Sequence, residues 1–234
     1  MPTALITGAS RGLGLALSRE LNGLGWHLIV DARDESALAG AIADLDGRRI
    51  TAIAGDVSDP EHRDALVGAV QRAGGLDVLI NNASTLGISP LPHLSDYPMA
   101  ELERVLQINV LAPLGLIQAL LPNLIASRGA IVNVTSDAAA EPYEGWGGYG
   151  ASKAALEQIG AVLAEEQPEV RVYTFDPGDM RTKMHQDAFP GEDISDRPEP
   201  EAVVPSLVRL ITEGRPSGRY RAGDLARLQE SSAS

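Results

Sequence analysis

Short apolar runs alternate along this chain with longer segments in which apolar residues recur every third or fourth position. The runs at residues 3–7, 27–31, 50–54, 77–81, 130–135, 170–175 and 219–222 read as strands. Between them lie helix-period segments, among them 13–24, 35–45, 60–73 and 151–166. The strand runs are continuously apolar instead of strictly alternating, as expected where helices cover both faces of a parallel sheet. Strand–helix–strand repetition at this spacing predicts an α/β fold with a doubly wound parallel sheet. Neither a linker nor an internal repeat interrupts the pattern, so residues 1–234 read as a single domain. The one irregular stretch, about 183–201, is rich in Asp, Glu, Pro and Gly and is expected to form a lid or surface excursion. Residues 110–126 are the most apolar long stretch, yet they contain Pro113, Gln118, Pro122 and Asn123 and read as a buried helix.

Composition narrows the chemistry. There is no cysteine, which removes disulfides, thiolate nucleophiles and cysteine-ligated metals. The four histidines, His27, His62, His93 and His185, show no metal-ligand spacing, so no metal site is expected. The net charge of −13 argues against nucleic acid or an anionic membrane as a partner. The N-terminus lacks the basic and apolar regions of a signal peptide, and a cytoplasmic location is expected.

The first strand runs directly into Thr7-Gly8-Ala9-Ser10-Arg11-Gly12-Leu13-Gly14, and a helix follows. Glycines there permit a tight turn and close approach to a pyrophosphate, and the helix N-terminus supplies N–H donors to the anion. Gly8, Ser10, Arg11, Gly12, Leu13 and Gly14 are therefore candidate cofactor residues, although the spacing departs from the general dinucleotide fingerprint. Asp56-Val57 after the third strand is placed to meet an adenine, and Asn82-Ala83 after the fourth to shape the turn beside it. Either pair reads equally well as local turn chemistry.

Tyr149 and Lys153 stand four apart in a helix-period segment, so both side chains emerge on one face. The chain has only two lysines beside seventeen arginines, which makes this placement informative. A neighbouring ammonium is expected to bring the phenol pKa down toward the working range. Ser136, at the end of the fifth strand, is placed to hydrogen-bond a substrate oxygen as charge develops. Asn109 reads two ways, as a residue that holds a relay water for Lys153 or as one that satisfies backbone at a helix kink.

The ordered set TGASRGLG, GDV, NNA, Asn109, Ser136, YGASK and DPGDMRT resembles the single-domain branch of the short-chain dehydrogenase/reductase family, over essentially the whole chain. The resemblance implies a Rossmann-like fold and hydride transfer between a nicotinamide cofactor and a small carbonyl or alcohol. It carries the family's catalytic tetrad onto Asn109, Ser136, Tyr149 and Lys153. Its nicotinamide-side segment falls on Pro177, Gly178 and Thr182. Two departures stand out: Ser84 replaces the glycine usual after Asn-Asn-Ala, and Arg219-Tyr220-Arg221-Ala222-Gly223-Asp224 replaces a C-terminal Gly-Gly signature. A non-catalytic NADP-binding sensor on the same fold is the alternative, which the complete tetrad disfavours. An epimerase or dehydratase of the longer branch would need a substrate domain that this chain lacks.

For the cofactor, two signals conflict. Asp31 lies near the position where an acid binds the ribose 2′-hydroxyl, which favours NAD. In similar proteins, however, that acid aligns with Ala32, and a one-residue shift along a strand reverses the side chain. Arg11 and Arg33 match a basic pair suited to a 2′-phosphate, so NADP is preferred. The resemblance also implies a homodimer formed by the helices at 110–126 and 151–163, while the altered C-terminus weighs against a tetramer. From Asp137 to Glu201 fifteen acids face five bases, which predicts a neutral or cationic substrate. Tyr143 and Trp146 would supply an apolar wall.

Overall fold

The computed structural model describes residues 1–232, without the side chains of Arg48 and of 228–232. Seven strands form one parallel sheet in the order β3-β2-β1-β4-β5-β6-β7. They are β1 (Thr3–Ile6), β2 (His27–Ala32), β3 (Ile50–Ala54), β4 (Val78–Asn81), β5 (Ala130–Val134), β6 (Arg171–Asp176) and β7 (Gly218–Arg221). Each of the seven expected runs forms a strand within a residue or so of its expected bounds. The order reverses between β1 and β4, and the crevice at the C-terminal ends of these neighbours is where a doubly wound sheet binds its ligand.

Alternation along the strands feeds two cores. Ala4 and Ile6 of β1, with Leu28, Val30 and Ala32 of β2, face α1 (Gly12–Gly23), α8 (Val204–Glu213) and α9 (Ala222–Ser232). Leu5 and Ile29 face the other way, toward α3 (Pro60–Ala73) and α5 (Ala112–Ser127). The apolar stretch read as a buried helix is α5, and it turns Leu116, Leu120 and Leu124 into this second core. Its helical path begins earlier, at α4 (Met99–Leu106), and passes through a π-helical turn at Gln107–Leu111. The 29-residue stretch Met99–Ser127 is long and apolar enough to cross a membrane, but half of its apolar window is buried within the fold.

Local chemistry sets the helix ends. Asp59 caps α3 through the Glu61 N–H with Pro60 in the first turn, and Gly74 ends it in the left-handed region at φ 85°. Asp34 caps α2 (Glu35–Ala41), which stops short of the expected residue 45 where the chain enters turns around Asp44, Asp46 and Gly47. The expected excursion at 183–201 opens with a short helix, α7 (Lys183–Ala188), capped by the Thr182 hydroxyl through the His185 N–H. Helix α6 (Gly147–Glu166) starts four residues before the expected bound, so it carries both Tyr149 and Lys153.

Candidate active site

A cavity of about 1220 Å³ runs along the C-terminal edge of the sheet from the glycine loop to α7. Every candidate catalytic or cofactor residue lines it except Gly14 and Asn109.

The glycine loop is held from below. Thr7 Oγ1 accepts the N–H groups of Asn82 and Ala83, each at 3.0 Å, and Asn82 Nδ2 donates to the carbonyls of Thr7 (2.8 Å) and Gly8 (3.1 Å). Gly8 sits at φ 71°, and a Cβ there would meet Ala83 Cα at 2.9 Å. Gly14 serves packing instead of ligand contact: a Cβ on it would lie 2.4 Å from the Gly8 carbonyl oxygen. The start of α1 has no side-chain cap and no acid in its first turn, whereas α2 and α3 are both capped by aspartates. Its N–H groups thus remain free for a pyrophosphate, and the loop fits a dinucleotide.

At the β2 end of the cavity Asp31 is engaged by its neighbours. Asp31 follows Ile29 on the face of β2 that looks toward α3. Its Oδ1 accepts the Gly8 N–H at 2.7 Å, and its Oδ2 lies 3.0 Å from His62 Nε2. Both its carboxylate oxygens are thereby committed to Gly8 and His62. Ala32, Arg33 and Arg11 border the cavity there, and neither arginine forms a salt bridge among the described residues. Asp34 is committed to capping α2 and to Ser36 Oγ, and Asp56 Oδ1 is engaged by the N–H and hydroxyl of Ser58. Val57 is buried beside Asp56.

At the other end, Tyr149 and Lys153 share one face of α6, both buried. Burial pushes the Tyr149 phenol far above its usual range; a hydrogen bond with Ser84 opposes this, while Asp176 and Asp137 add to it. Burial brings Lys153 down to about 8, against the pull of Glu157. The ammonium was expected to lower the phenol pKa. Instead Nζ lies over the ring, 5.5 Å from its centroid, and donates to the Val134 carbonyl at 2.8 Å, so the lost hydration of the buried phenol prevails. Ser136 lines the same cavity, where its hydroxyl donates to Asp137 Oδ1 at 2.9 Å and makes no hydrogen bond to Tyr149.

Asn109 behaves as the backbone-satisfying alternative. Fully buried in the π-helical turn, it accepts the Thr85 N–H (2.9 Å) and the Ser84 hydroxyl (3.2 Å), and donates to the Thr85 carbonyl (2.9 Å) and Ser152 Oγ (3.0 Å). Its side chain does not reach the cavity. Pro177, Gly178 and Thr182 form the facing rim; Thr182 Oγ1 accepts the His185 N–H as a helix cap and keeps its own proton to donate.

Other participants were missed in the sequence. Ser84 was noted as a departure, and it stands between Tyr149 and Asn109. Arg219 on β7 reaches Glu157 of α6 (3.1 Å), Asp176 (3.0 Å) and the Ser136 carbonyl (3.4 Å), so the altered C-terminal segment ties α6 to the ends of β5 and β6. Trp146 packs edge-on against Tyr149 (5.7 Å between centroids), and Phe189 joins Trp146 at 5.9 Å and His185 at 4.9 Å. The aromatic wall therefore continues from Tyr143 and Trp146 into the 183–201 stretch, where no pattern announced Phe189. Of the fifteen acids counted from Asp137 onward, only Asp137, Asp179 and Asp187 line the cavity; the others lie elsewhere in the fold.

The family model described as short chain dehydrogenase matches residues 2–193. Sepiapterin reductase of Mus musculus is 36% identical over 197 residues, covering 78% of this chain and 76% of that one. The benzil reductase ((S)-benzoin forming) IRC24 of Saccharomyces cerevisiae is 32% identical over 220 residues, covering 89% and 81%. Among solved structures, a short chain dehydrogenase from Escherichia coli CFT073 complexed with NADPH superposes with a TM-score of 0.88 at 31% identity, covering 94% of this chain and 96% of that one.

Proposed function

This chain belongs to the short-chain dehydrogenase/reductase family, and from that premise we propose that it is an NADP(H)-dependent carbonyl reductase for uncharged substrates with a flat or aromatic group. The observation that carries this reading is the single cavity that joins the uncapped glycine-loop helix to Tyr149, Lys153, Ser136 and the Trp146–Phe189 wall. A nicotinamide bound there supplies the hydride.

Tyr149 is the proton donor to the carbonyl oxygen: with its pKa held high by burial, it enters the reaction fully protonated. Lys153, with a pKa of about 8, is an ammonium at neutral pH and stabilises the phenolate that forms. Ser136 orients the substrate oxygen once its hydroxyl turns from Asp137. NADP(H) is preferred because Asp31 is engaged elsewhere and Arg11 and Arg33 stand unbridged at the cavity rim. The bound NADPH and NADP of two structural neighbours point the same way. Two relatives are reductases by name, which favours the reductive direction.

The test compares kcat/KM for NADPH and NADH across aryl and alkyl ketones. NADPH should be favoured, and Tyr149→Phe should lose at least about a thousandfold in turnover while retaining NADPH binding. Preference for NADH, or near-normal turnover in Tyr149→Phe, refutes the corresponding half of the proposal. Leu111, Ile125 and Val162, exposed on or beside α5 and α6, support a homodimer through these helices, which light scattering would reveal.

A further inference from the structure

The mechanism above makes no use of one buried titratable pair at the adenine end. Asp31 borders the cavity yet is only 1% exposed, and His62, in the first turn of α3, is 7% exposed. The pair spans two elements that meet beneath the glycine loop. Asp31 Oδ2 and His62 Nε2 are 3.0 Å apart, Oδ1 holds the Gly8 N–H, and the Asp31 main-chain carbonyl accepts the Ala9 N–H at 2.8 Å. The ring has a dedicated seat: a Cβ on Gly55, the first residue beyond β3, would come within 2.1 Å of His62 Nδ1. Gly55 itself borders the cavity, so this pair forms part of its wall.

From this geometry we infer that His62 is a specificity-determining residue for the cofactor, holding the Asp31 carboxylate away from the ribose end of the site. The inference rests on the NADP(H) reading. Loss of the histidine leaves Asp31 Oδ2 buried without a donor and only the Gly8 N–H on Oδ1, which draws the carboxylate toward another donor. Asp31 borders the same cavity as Ala32 and Arg33, which offers it open space. A carboxylate turned there would accept a hydrogen bond from a ribose 2′-hydroxyl and would repel a 2′-phosphate. It would also draw Arg33 into an ion pair and take that cation from the phosphate. His62 does not line the cavity; it acts through Asp31 and is a positioning residue.

The experiment measures dissociation constants of NADPH and NADH for the full chain by fluorescence titration, with thermal melting to confirm folding. His62→Leu should lower the NADPH-over-NADH binding ratio by about tenfold or more, chiefly through weaker NADPH binding. His62→Gln, whose amide can still donate to Oδ2, should keep the ratio within about threefold of wild type. The double variant Asp31→Asn/His62→Leu should recover the wild-type ratio, because no carboxylate remains to swing outward. Equal weakening of both cofactors in His62→Leu, or failure of the double variant to recover the ratio, overturns the inference and leaves the pair as a loop support only. Should His62→Leu fail to fold, His62→Asn, polar but too short to reach Oδ2, is judged by the same ratio. A wild-type protein that binds NADH more tightly refutes the NADP(H) reading, whereas the His62 inference stands or falls on the change between wild type and variant.

Discussion

Lys153 Nζ lies over the face of the Tyr149 ring, 5.5 Å from its centroid, and its hydrogen bond goes to the Val134 carbonyl. One turn of α6 separates the two residues, and burial moves their pKa values in opposite senses, the phenol up and the ammonium down to about 8. Groups whose environments separate them in this way divide the labour of an acid site: the phenol gives up the proton and the ammonium steadies the charge that results.

This relationship fixes a pH dependence. The kcat/KM for reduction should be level near neutrality and fall above about pH 8, as Lys153 loses the charge that stabilises the phenolate. Stability should move the other way. The folded pKa lies near 8 and the ordinary value is 10.5, so between these limits the unfolded chain binds more protons than the folded one and stability rises with pH. Lys153→Met removes this slope. Its stability relative to wild type, from urea melts at pH 7 and pH 9.5, should decline as pH rises; a gap independent of pH would contradict the assignment.

The inner strands were legible because each is a short apolar run with turn residues on either side, and burial on both faces leaves that signal unmixed; the edge strands β3 and β7 are partly exposed, and Gly218–Arg221 carries two arginines. The Tyr149–Lys153 pair was legible because i,i+4 spacing on a helix forces a shared face. What sequence could not give was direction at single residues. Asp31 and Ala32 are equally near the ribose by spacing, and only the alternation of β2 against α3 turns Asp31 toward His62. Asn109 had two consistent readings because an amide serves backbone or water alike; the choice depends on the 84–85 loop folding back onto it. Arg219 was read as part of a missing signature, since its partners Glu157 and Asp176 are distant in sequence.

Gly14 should prove indispensable although it never faces the cavity. A methyl group there would lie 2.4 Å from the Gly8 carbonyl oxygen and 2.6 Å from Asn82 Nδ2, the amide that holds the loop. Gly14→Ala should destabilise the fold by about 1–3 kcal/mol and weaken NADPH binding at least about tenfold, because the loop must shift to admit it. Thermal melting with NADPH titration measures both, and unchanged affinity would remove Gly14 from the loop's support.

Asn109→Ala separates a structural from a chemical role. The substitution leaves both the N–H and the carbonyl of Thr85 without their partner. Unsatisfied buried groups destabilise by about 1–3 kcal/mol each; Thr85 is half-buried, so a loss at the lower end of the sum, roughly 2–4 kcal/mol, is expected in urea unfolding. NADPH affinity should change less than about threefold, since the side chain does not line the cavity. Full stability combined with lost turnover would instead place Asn109 in the chemistry.

Substrate charge is decided by the three carboxylates at the Tyr149 end of the cavity, Asp137, Asp179 and Asp187. Asp187 is neutralised by Lys183 at 2.7 Å, and Asp179 faces Arg197 at 3.4 Å and His185 at 3.8 Å. Asp137 has only hydroxyl partners, Ser136 and Tyr143, and it stands next to the residue expected to orient the substrate oxygen. An anionic substrate would therefore meet one uncompensated charge at close range, while a neutral aryl ketone would meet Trp146 and Phe189. For matched neutral and carboxylated aryl ketones, kcat/KM should favour the neutral member by about tenfold at low salt. The gap should narrow at high salt, where screening shortens the reach of exposed charge to a few ångströms. Asp137→Asn should close much of the gap at low salt, and Trp146→Ala should raise KM for the neutral ketone without altering NADPH affinity. A preference for the carboxylated ketone that weakens as salt rises would show that cations govern entry, and Lys183 and Arg197 would then be the groups to replace.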